Sequence, residues 1–389
     1  MNLCIREGAF YYMEKNTEPI DFKHMRNADW KQSHMDMLST TFNVEQGPLW
    51  RATLTTVNAR DYVMSFGFHH SCHDGLSSLK IEGEFMELLN IVIDEREVDL
   101  GKRFILAPAM DDHIPNEHKS WKLRDFLFLY DHVIKEGFLN FKSSQMLNQK
   151  LDLDKKSKIN FHTFEFKGKT FVNLLKISKQ KGVTVNTTLT TIALVALARM
   201  LKERFNTCEH SFRIFFAFAL RPYLPKDVFY HGMYSLNHPP FDYLINLECQ
   251  EFWDIASNFG KYTSEYLKSD KIWDYLRVGK QFTNYIEKAV EYKCQFPEVK
   301  QDIFFSNLGN ANALVKAENK YTTVNSICPT GYFRGSQCLW THTFITIGQC
   351  LCWSIVFDND RITMDQTKNY ASFIEETFHK YIKVNLANP

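Results

Sequence analysis

The spacing of apolar residues divides the chain into strands and helices. From Leu49 to Val57 (LWRATLTTV) and from Tyr62 to His69 (YVMSFGFH), β-branched and aromatic residues dominate, with the turn-forming Asn58-Ala59-Arg60-Asp61 between them. This pattern predicts a hairpin or two adjacent strands. After Leu76 the period becomes helical, with Leu76, Leu79, Phe85, Leu88, Leu89 and Val92 on one side and an end near the charged stretch Asp94 to Glu97. The segment His69 to Gly75 therefore sits where a strand gives way to a helix. Trp121 to Phe141 reads as helical, and the polar stretch 148 to 159 reads as a linker.

A second unit follows the linker. Phe161 to Phe166 alternates as a strand and Thr170 to Lys181 is helical, while Gly182-Val183-Thr184-Val185-Asn186 leads into a helix ending near Glu203. Ser211 to Leu220 is a strongly apolar strand closed by Arg221-Pro222. Ile303 to Phe305, Tyr321 to Ile327, Leu339 to Ile347 and Cys350 to Phe357 are expected strands, and Met364 to Ile382 a final helix. Several strands follow one another without helices, so both halves, residues 1–155 and 156–389, are expected to be mixed α/β with more antiparallel than parallel pairing.

Composition narrows the function classes. The 389 residues are 44% hydrophobic, with 33 Phe and 17 Tyr, enough for well-packed cores and for an apolar cleft. Basic and acidic residues nearly cancel, 46 against 45, and no Lys/Arg-rich run stands out, which argues against nucleic acid as a partner. The start Met1-Asn2-Leu3-Cys4-Ile5-Arg6 lacks the basic and apolar regions of a signal peptide, and no stretch approaches the ~18 uncharged apolar residues that span a bilayer. A cytoplasmic monomer is expected, with peripheral membrane contact left open. The nine cysteines show no CxxC pair, and Cys350 and Cys352 share one face of a strand; reduced buried thiols and no metal are expected. The sequon at Asn186-Thr187-Thr188 falls at a helix start, where glycosylation is not expected.

One cluster carries chemistry. His69-His70-Ser71-Cys72-His73-Asp74-Gly75 forms the pattern HHxxxDG, which arises by chance in about one sequence in a thousand of this composition. An imidazole with a pKa of about 6.5 can take a proton from a hydroxyl or amine near neutral pH without a metal. The acid four positions on can orient the site, and the glycine after it permits a tight entry into the helix.

The motif resembles the signature of the superfamily of chloramphenicol acetyltransferase-like, CoA-dependent acyltransferases and condensation domains. Gly47-Pro48-Leu49-Trp50-Arg51 is similar to the strand that precedes the signature in alcohol acetyltransferases. Val183-Thr184-Val185-Asn186 looks like the helix start of the family's second half, Leu220-Arg221-Pro222 its Arg-Pro strand end, and Ser306-Asn307-Leu308-Gly309 the SNxG turn of condensation-like and wax-ester-synthase-like members. The resemblance spans about Pro48 to the C-terminus.

It implies two chloramphenicol acetyltransferase-like subdomains around a central tunnel, the N-terminal one lacking its first strand and helix here. It also implies acyl transfer from a thioester, acyl-CoA as cosubstrate and no other cofactor, to a small apolar alcohol or amine, with the alcohol favoured. His70 is then the general base. Asp74 pairs with an arginine, for which Arg221 is the candidate, and Gly75 belongs to the same structural loop. His69, Ser306, Asn307 and Gly309 are candidate substrate or oxyanion contacts. Plainer readings stand beside these: His69 as a packing residue, Arg221 as a surface residue and Ser306 to Gly309 as an Asx-type turn. Cys72 beside His73 does not make a nucleophile pair, because neighbours on an extended strand face opposite sides. The same alternation is expected to aim only one of His69 and His70 into the tunnel. Two other functions remain open, a catalytically inactive binding or regulatory protein of this fold and a condensation domain that takes carrier-protein thioesters.

Overall fold

The computed structural model describes residues 2–6, 9–13, 20–99, 110–130, 159–224, 235–237, 241–281, 301–331 and 338–382. In the N-terminal half, β1 (Asn2–Arg6) and β2 (Ala9–Met13) form an antiparallel pair, and β3 (Phe22–Arg26), α1 (Trp30–Ser39), β4 (Trp50–Thr56), β5 (Tyr62–Phe68) and α2 (Gly75–Ile93) follow. β3 pairs parallel with β4, and β4 antiparallel with β5, giving a three-stranded sheet. A short α3 (Leu123–Leu129) closes this stretch; residues 131–141 of the helix expected over 121–141 lie outside the described residues, as does the linker expected over 148–159 except for Ile159, which begins the next strand.

The second half begins with β6 (Ile159–Lys167), α4 (Lys169–Gln180), α5 (Val185–Phe205) and β7 (Glu209–Ala219). Next come β8 (Ser235–Asn237), β9 (Phe241–Asn246), α6 (Phe252–Leu267) and α7 (Lys271–Gln281). The chain closes with β10 (Gln301–Asn310), β11 (Cys338–Ile347), β12 (Cys350–Asp358) and α8 (Met364–Ile382). Its seven-stranded sheet runs β6-β12-β11-β10-β7-β8, with β9 also on β7. Only β10 pairs in parallel, with β7 and β11; its other ladders are antiparallel, which agrees with the mixed character expected.

The core of this half follows from two apolar elements. α5 has no polar stripe, and residues from Thr187 to Leu201, four of them threonines, are buried nearly without interruption, as a helix sandwiched between layers must be. Its start is capped by the Thr184 hydroxyl, which accepts the Thr187 N–H at 3.0 Å, and Asn206 ends it in the left-handed conformation. Every residue of β12 is buried, so both faces of the sheet are covered there. Helices α5 and α8 cover one face. The other face meets the N-terminal half through Leu79 of α2, which packs with Val315, Ile345 and Cys352.

Joining of the halves depends on close approach at α2. A Cβ at Gly83 would lie 1.9 Å from the Leu314 carbonyl oxygen, so only glycine lets the helix come this near. On the other flank, Trp30, Met35 and Leu38 of α1 pack with Ile159, Phe161 and Val356. Residues 110–129, expected within the N-terminal unit, make their described contacts with the second half. Ile114 packs with Leu220 and Ile272, and the buried Arg277 of α7 donates to Asp125 of α3 at 2.9 Å.

One expected strand is absent. Tyr321 to Ile327 forms no ladder beyond an isolated bridge between Glu318 and Thr323. Its backbone groups are engaged elsewhere: the Tyr321 N–H donates to Asn90 Oδ1 of α2 at 3.0 Å, and the Val324 N–H to the Ala317 carbonyl at 2.7 Å. The β-like residue pattern is used instead to lay this segment along α2.

Candidate active site

The histidine loop is held at both ends. On the strand side, the His69 N–H donates to the Leu49 carbonyl at 2.9 Å, extending the β4–β5 ladder one step past Phe68. On the helix side, Asp74 is the N-cap of α2 and accepts from the Ser77 N–H at 2.9 Å and the Ser77 hydroxyl at 2.7 Å. The same carboxylate receives Arg221 in a two-pronged pair, Nη1 to Oδ2 at 2.6 Å and Nη2 to Oδ1 at 2.9 Å. Both side chains are buried, at 1% and 2% exposure, so this bond between the halves is shielded from water. Burial raises the Asp74 carboxyl, but the hydrogen bonds and charge of Arg221, with those of Ser77, outweigh it and hold the group below the usual carboxylate range. Arg221 is thus no surface residue. It opens the 3-10 turn Arg221–Tyr223 that follows β7, and the turn points its guanidinium across to α2.

Gly75 lies where Leu308 of the second half presses on the start of α2; a Cβ there would fall 2.2 Å from Leu308 Cδ2. The Ser306 to Gly309 turn consequently stands beside the histidine loop. Asn307 Oδ1 accepts the Gly309 N–H at 2.8 Å, an Asx-type turn, and its Nδ2 donates to Asn186 Oδ1 at 2.9 Å at the start of α5.

A cleft of 3260 Å³ runs between the halves, lined by the histidine loop and α2 on one side and by Ser306 to Gly309, Ala217 and Thr343 on the other. His69, His70, Asp74, Gly75, Arg221, Ser306, Asn307 and Gly309 all contribute to its wall. Strand alternation does not separate the two histidines. β5 ends at Phe68, His70 is in a turn, and both rings border the cleft.

Their surroundings separate them instead. The Ser71 hydroxyl meets His69 Nδ1 at 2.6 Å, the ring stands edge-on to Phe42 at 5.9 Å, and burial, then the neighbouring His70, lowers its basicity. His70 is exposed to the cleft, with its ring 5.2 Å from that of His73. His73 Nδ1 donates to the His69 carbonyl at 3.2 Å, and burial with the nearby His70 pushes its imidazole down to about 4. A neutral His73 spares its neighbour a like charge. The Cys72 thiol donates back to the His69 carbonyl at 3.0 Å, and burial raises its pKa, so it remains a protonated thiol.

Sequence reasoning missed Ser77, which shares Asp74 with Arg221, and His34 of α1. The latter also lines the cleft, with its Nε2 at 2.6 Å from Thr330 Oγ1 and its pKa pushed down to about 4 by burial. Nothing local marks His34, since its partner is 296 positions away. Among the described residues no group of His, Cys, Asp and Glu is arranged to hold a metal ion, and no single helix is long and apolar enough to cross a membrane.

This is the two-subdomain chloramphenicol acetyltransferase-like fold shared with condensation domains. The trichothecene 15-O-acetyltransferase of Fusarium sporotrichioides is similar over 94% of this chain and 77% of its own, with a TM-score of 0.70 at 13% identity. The epimerization domain from the third module of tyrocidine synthetase B matches over 98% of this chain and 84% of its own, with a TM-score of 0.61 at 14% identity. The cyclization-docking bidomain of Sorangium cellulosum also reaches a TM-score of 0.61, at 12% identity, over 99% of this chain and 74% of its own. No protein-family model and no curated protein sequence matches the chain.

Proposed function

We propose that the protein transfers an acyl group from a thioester, acyl-CoA in the first instance, to the hydroxyl of an apolar acceptor, with His70 as general base. The observation that carries this reading is the placement of His70. It stands exposed in a cleft shared by both halves, on a loop clamped from behind by the buried Asp74–Arg221 pair. Two substrates can meet at such a base from different sides. The O-acetyltransferase among the fold neighbours supports oxygen as the nucleophile.

In this mechanism the imidazole takes the hydroxyl proton as the oxygen attacks the thioester carbonyl. The carbon–sulfur bond then breaks, the proton passes to the departing thiolate, and an ester and a thiol leave. Ser306 and the Asn307 amide, which line the same cleft, are the side chains proposed to donate to the oxyanion. Asp74 orients the loop and takes no proton. The test is thiol release over a panel of acyl-CoAs and acyl-carrier thioesters with alcohols and amines. His70→Ala should lose about 100- to 10,000-fold in rate with an unchanged melting temperature, and His69→Ala should lose less. Near-normal turnover by a folded His70→Ala protein would overturn the assignment.

A further inference from the structure

The face that α2 turns to the cleft is apolar apart from Ser78 near its start and one charged position. Leu79, Phe85, Met86, Leu89 and Ile93 line it, and among them stands Glu82. These residues recur at the three- and four-residue spacing of one helical face, so the carboxylate interrupts an otherwise greasy stripe. Glu82 is half-buried: its surface opens to the cleft while protein encloses the rest. Among the described residues no hydrogen bond or ion pair reaches it. Burial alone acts on its carboxyl, pushing it up to about 7.

Among the described residues, none supplies a cation to this group. Of the described charged side chains on the cleft wall, five are carboxylates (Asp36, Asp61, Asp74, Glu82 and Glu165) and two are arginines. Arg221 is committed to Asp74, and Arg60 lies in the turn between β4 and β5. No described lysine lines the wall. A desolvated carboxylate without a partner is costly, and a ligand that brings the missing positive charge recovers that cost on binding.

We propose that Glu82 is the recognition group for an acceptor carrying an ammonium at the far end of an apolar spacer from its nucleophilic hydroxyl. Seven residues separate Glu82 from the start of α2 at the histidine loop, which at ~1.5 Å per residue is about 10 Å along the axis. A saturated chain of about eight carbons spans that distance, and Leu76 and Leu79, which lie between the loop and Glu82, would cover its length. An anionic occupant beside Glu82 is disfavoured by its carboxylate. That the ligand is the acceptor rests on the acyl-transfer reading above; that the site takes an apolar ammonium does not.

The experiment therefore measures binding and turnover separately. Calorimetry compares aminooctanol with octanol on the full chain, wild type against Glu82→Gln. The wild type should bind the amino alcohol about 10- to 100-fold more tightly than the alcohol, the usual worth of a hydrogen bond to a charged group. Glu82→Gln should erase that preference. Equal affinities in the wild type, or a preference that survives Glu82→Gln, would overturn the proposal. A melting temperature that falls in Glu82→Gln would also overturn it, by giving the carboxylate a place in the fold. Thiol release with aminooctanol as acceptor then tests the other half: a preserved binding preference without turnover by any acceptor rejects the acyl-transfer reading and leaves the ammonium site standing.

Discussion

The two halves of the molecule are built on the same kinds of element and stabilised in different ways. The C-terminal half has its own core: α5, buried all round, lies beside a sheet whose strand β12 is buried on both faces. By contrast, the N-terminal half has a three-stranded sheet, and the face of that sheet and of α2 borders the cleft. Its order comes from contacts with its neighbour: the Asp74–Arg221 pair, the seating of Gly75 and Gly83 on Leu308 and Leu314, and α1 against β6. The histidine loop belongs to the dependent half. Its geometry is consequently a property of the interface, and damage to the interface should appear as lost function before it appears as global unfolding.

The sharpest way to break this comparison is Arg221→Leu. Removing one partner strands a buried carboxylate and should cost about 3–5 kcal/mol. Hydrogen exchange should show the loss in β5 and α2, with α5 and β12 protected as before. Uniform loss of protection across both sheets would mean that the halves unfold as one unit. Leu194→Ala, at a fully buried position of α5, is the complementary test. A cavity there should cost about 2–5 kcal/mol, and protection should fall throughout the chain, because the dependent half cannot outlive its support.

Next in size is Gly83→Ala. The added methyl collides with the Leu314 carbonyl, and overpacking of this kind costs about 1–3 kcal/mol. Acyl transfer should decline with it if α2 is displaced from the second half, and the midpoint of chemical denaturation gives the stability term. Acid provides a graded version of the same test. The folded Asp74 carboxyl lies below its unfolded value of about 3.9, so its contribution is fully present above that pH and is lost as pH falls through the folded value. Acid titration below about pH 4 should therefore weaken wild type more than Asp74→Asn. The smallest effect is expected at Arg199→Ala. Its partner Glu376 is 60% exposed, and such surface pairs contribute less than about 1 kcal/mol.

How much of this was legible in the sequence differs between elements. The strands Ser211 to Leu220, Leu339 to Ile347 and Cys350 to Phe357 are long apolar runs, and each lies within one or two residues of its expected limits. By contrast, β3, β8 and β9 are short strands that were not anticipated, and neither were α6 and α7, although both are amphipathic. Tyr321 to Ile327 has the residue types of a strand, but Asn90 and Ala317 take its backbone N–H groups and it pairs with no sheet. Strand propensity describes a residue's fit to a pleated surface; it does not supply the neighbouring strand.

The sequence by itself determined where the chemistry is concentrated, because the HHxxxDG pattern is local: a strand end, a turn and an N-capped helix lie within a few residues of one another. It also singled out the pair Asp74 and Arg221 by resemblance. Only the tertiary structure decided that they meet, 147 positions apart, with both side chains buried at 2% exposure or less. It likewise decided the difference between His69 and His70, which depends on Ser71, Phe42 and exposure rather than on strand alternation. The same holds for Glu82, which in sequence is one more acid on an amphipathic helix. Its meaning comes from what stands opposite it in the cleft, and no count along the chain reports which residues a fold will leave without a partner.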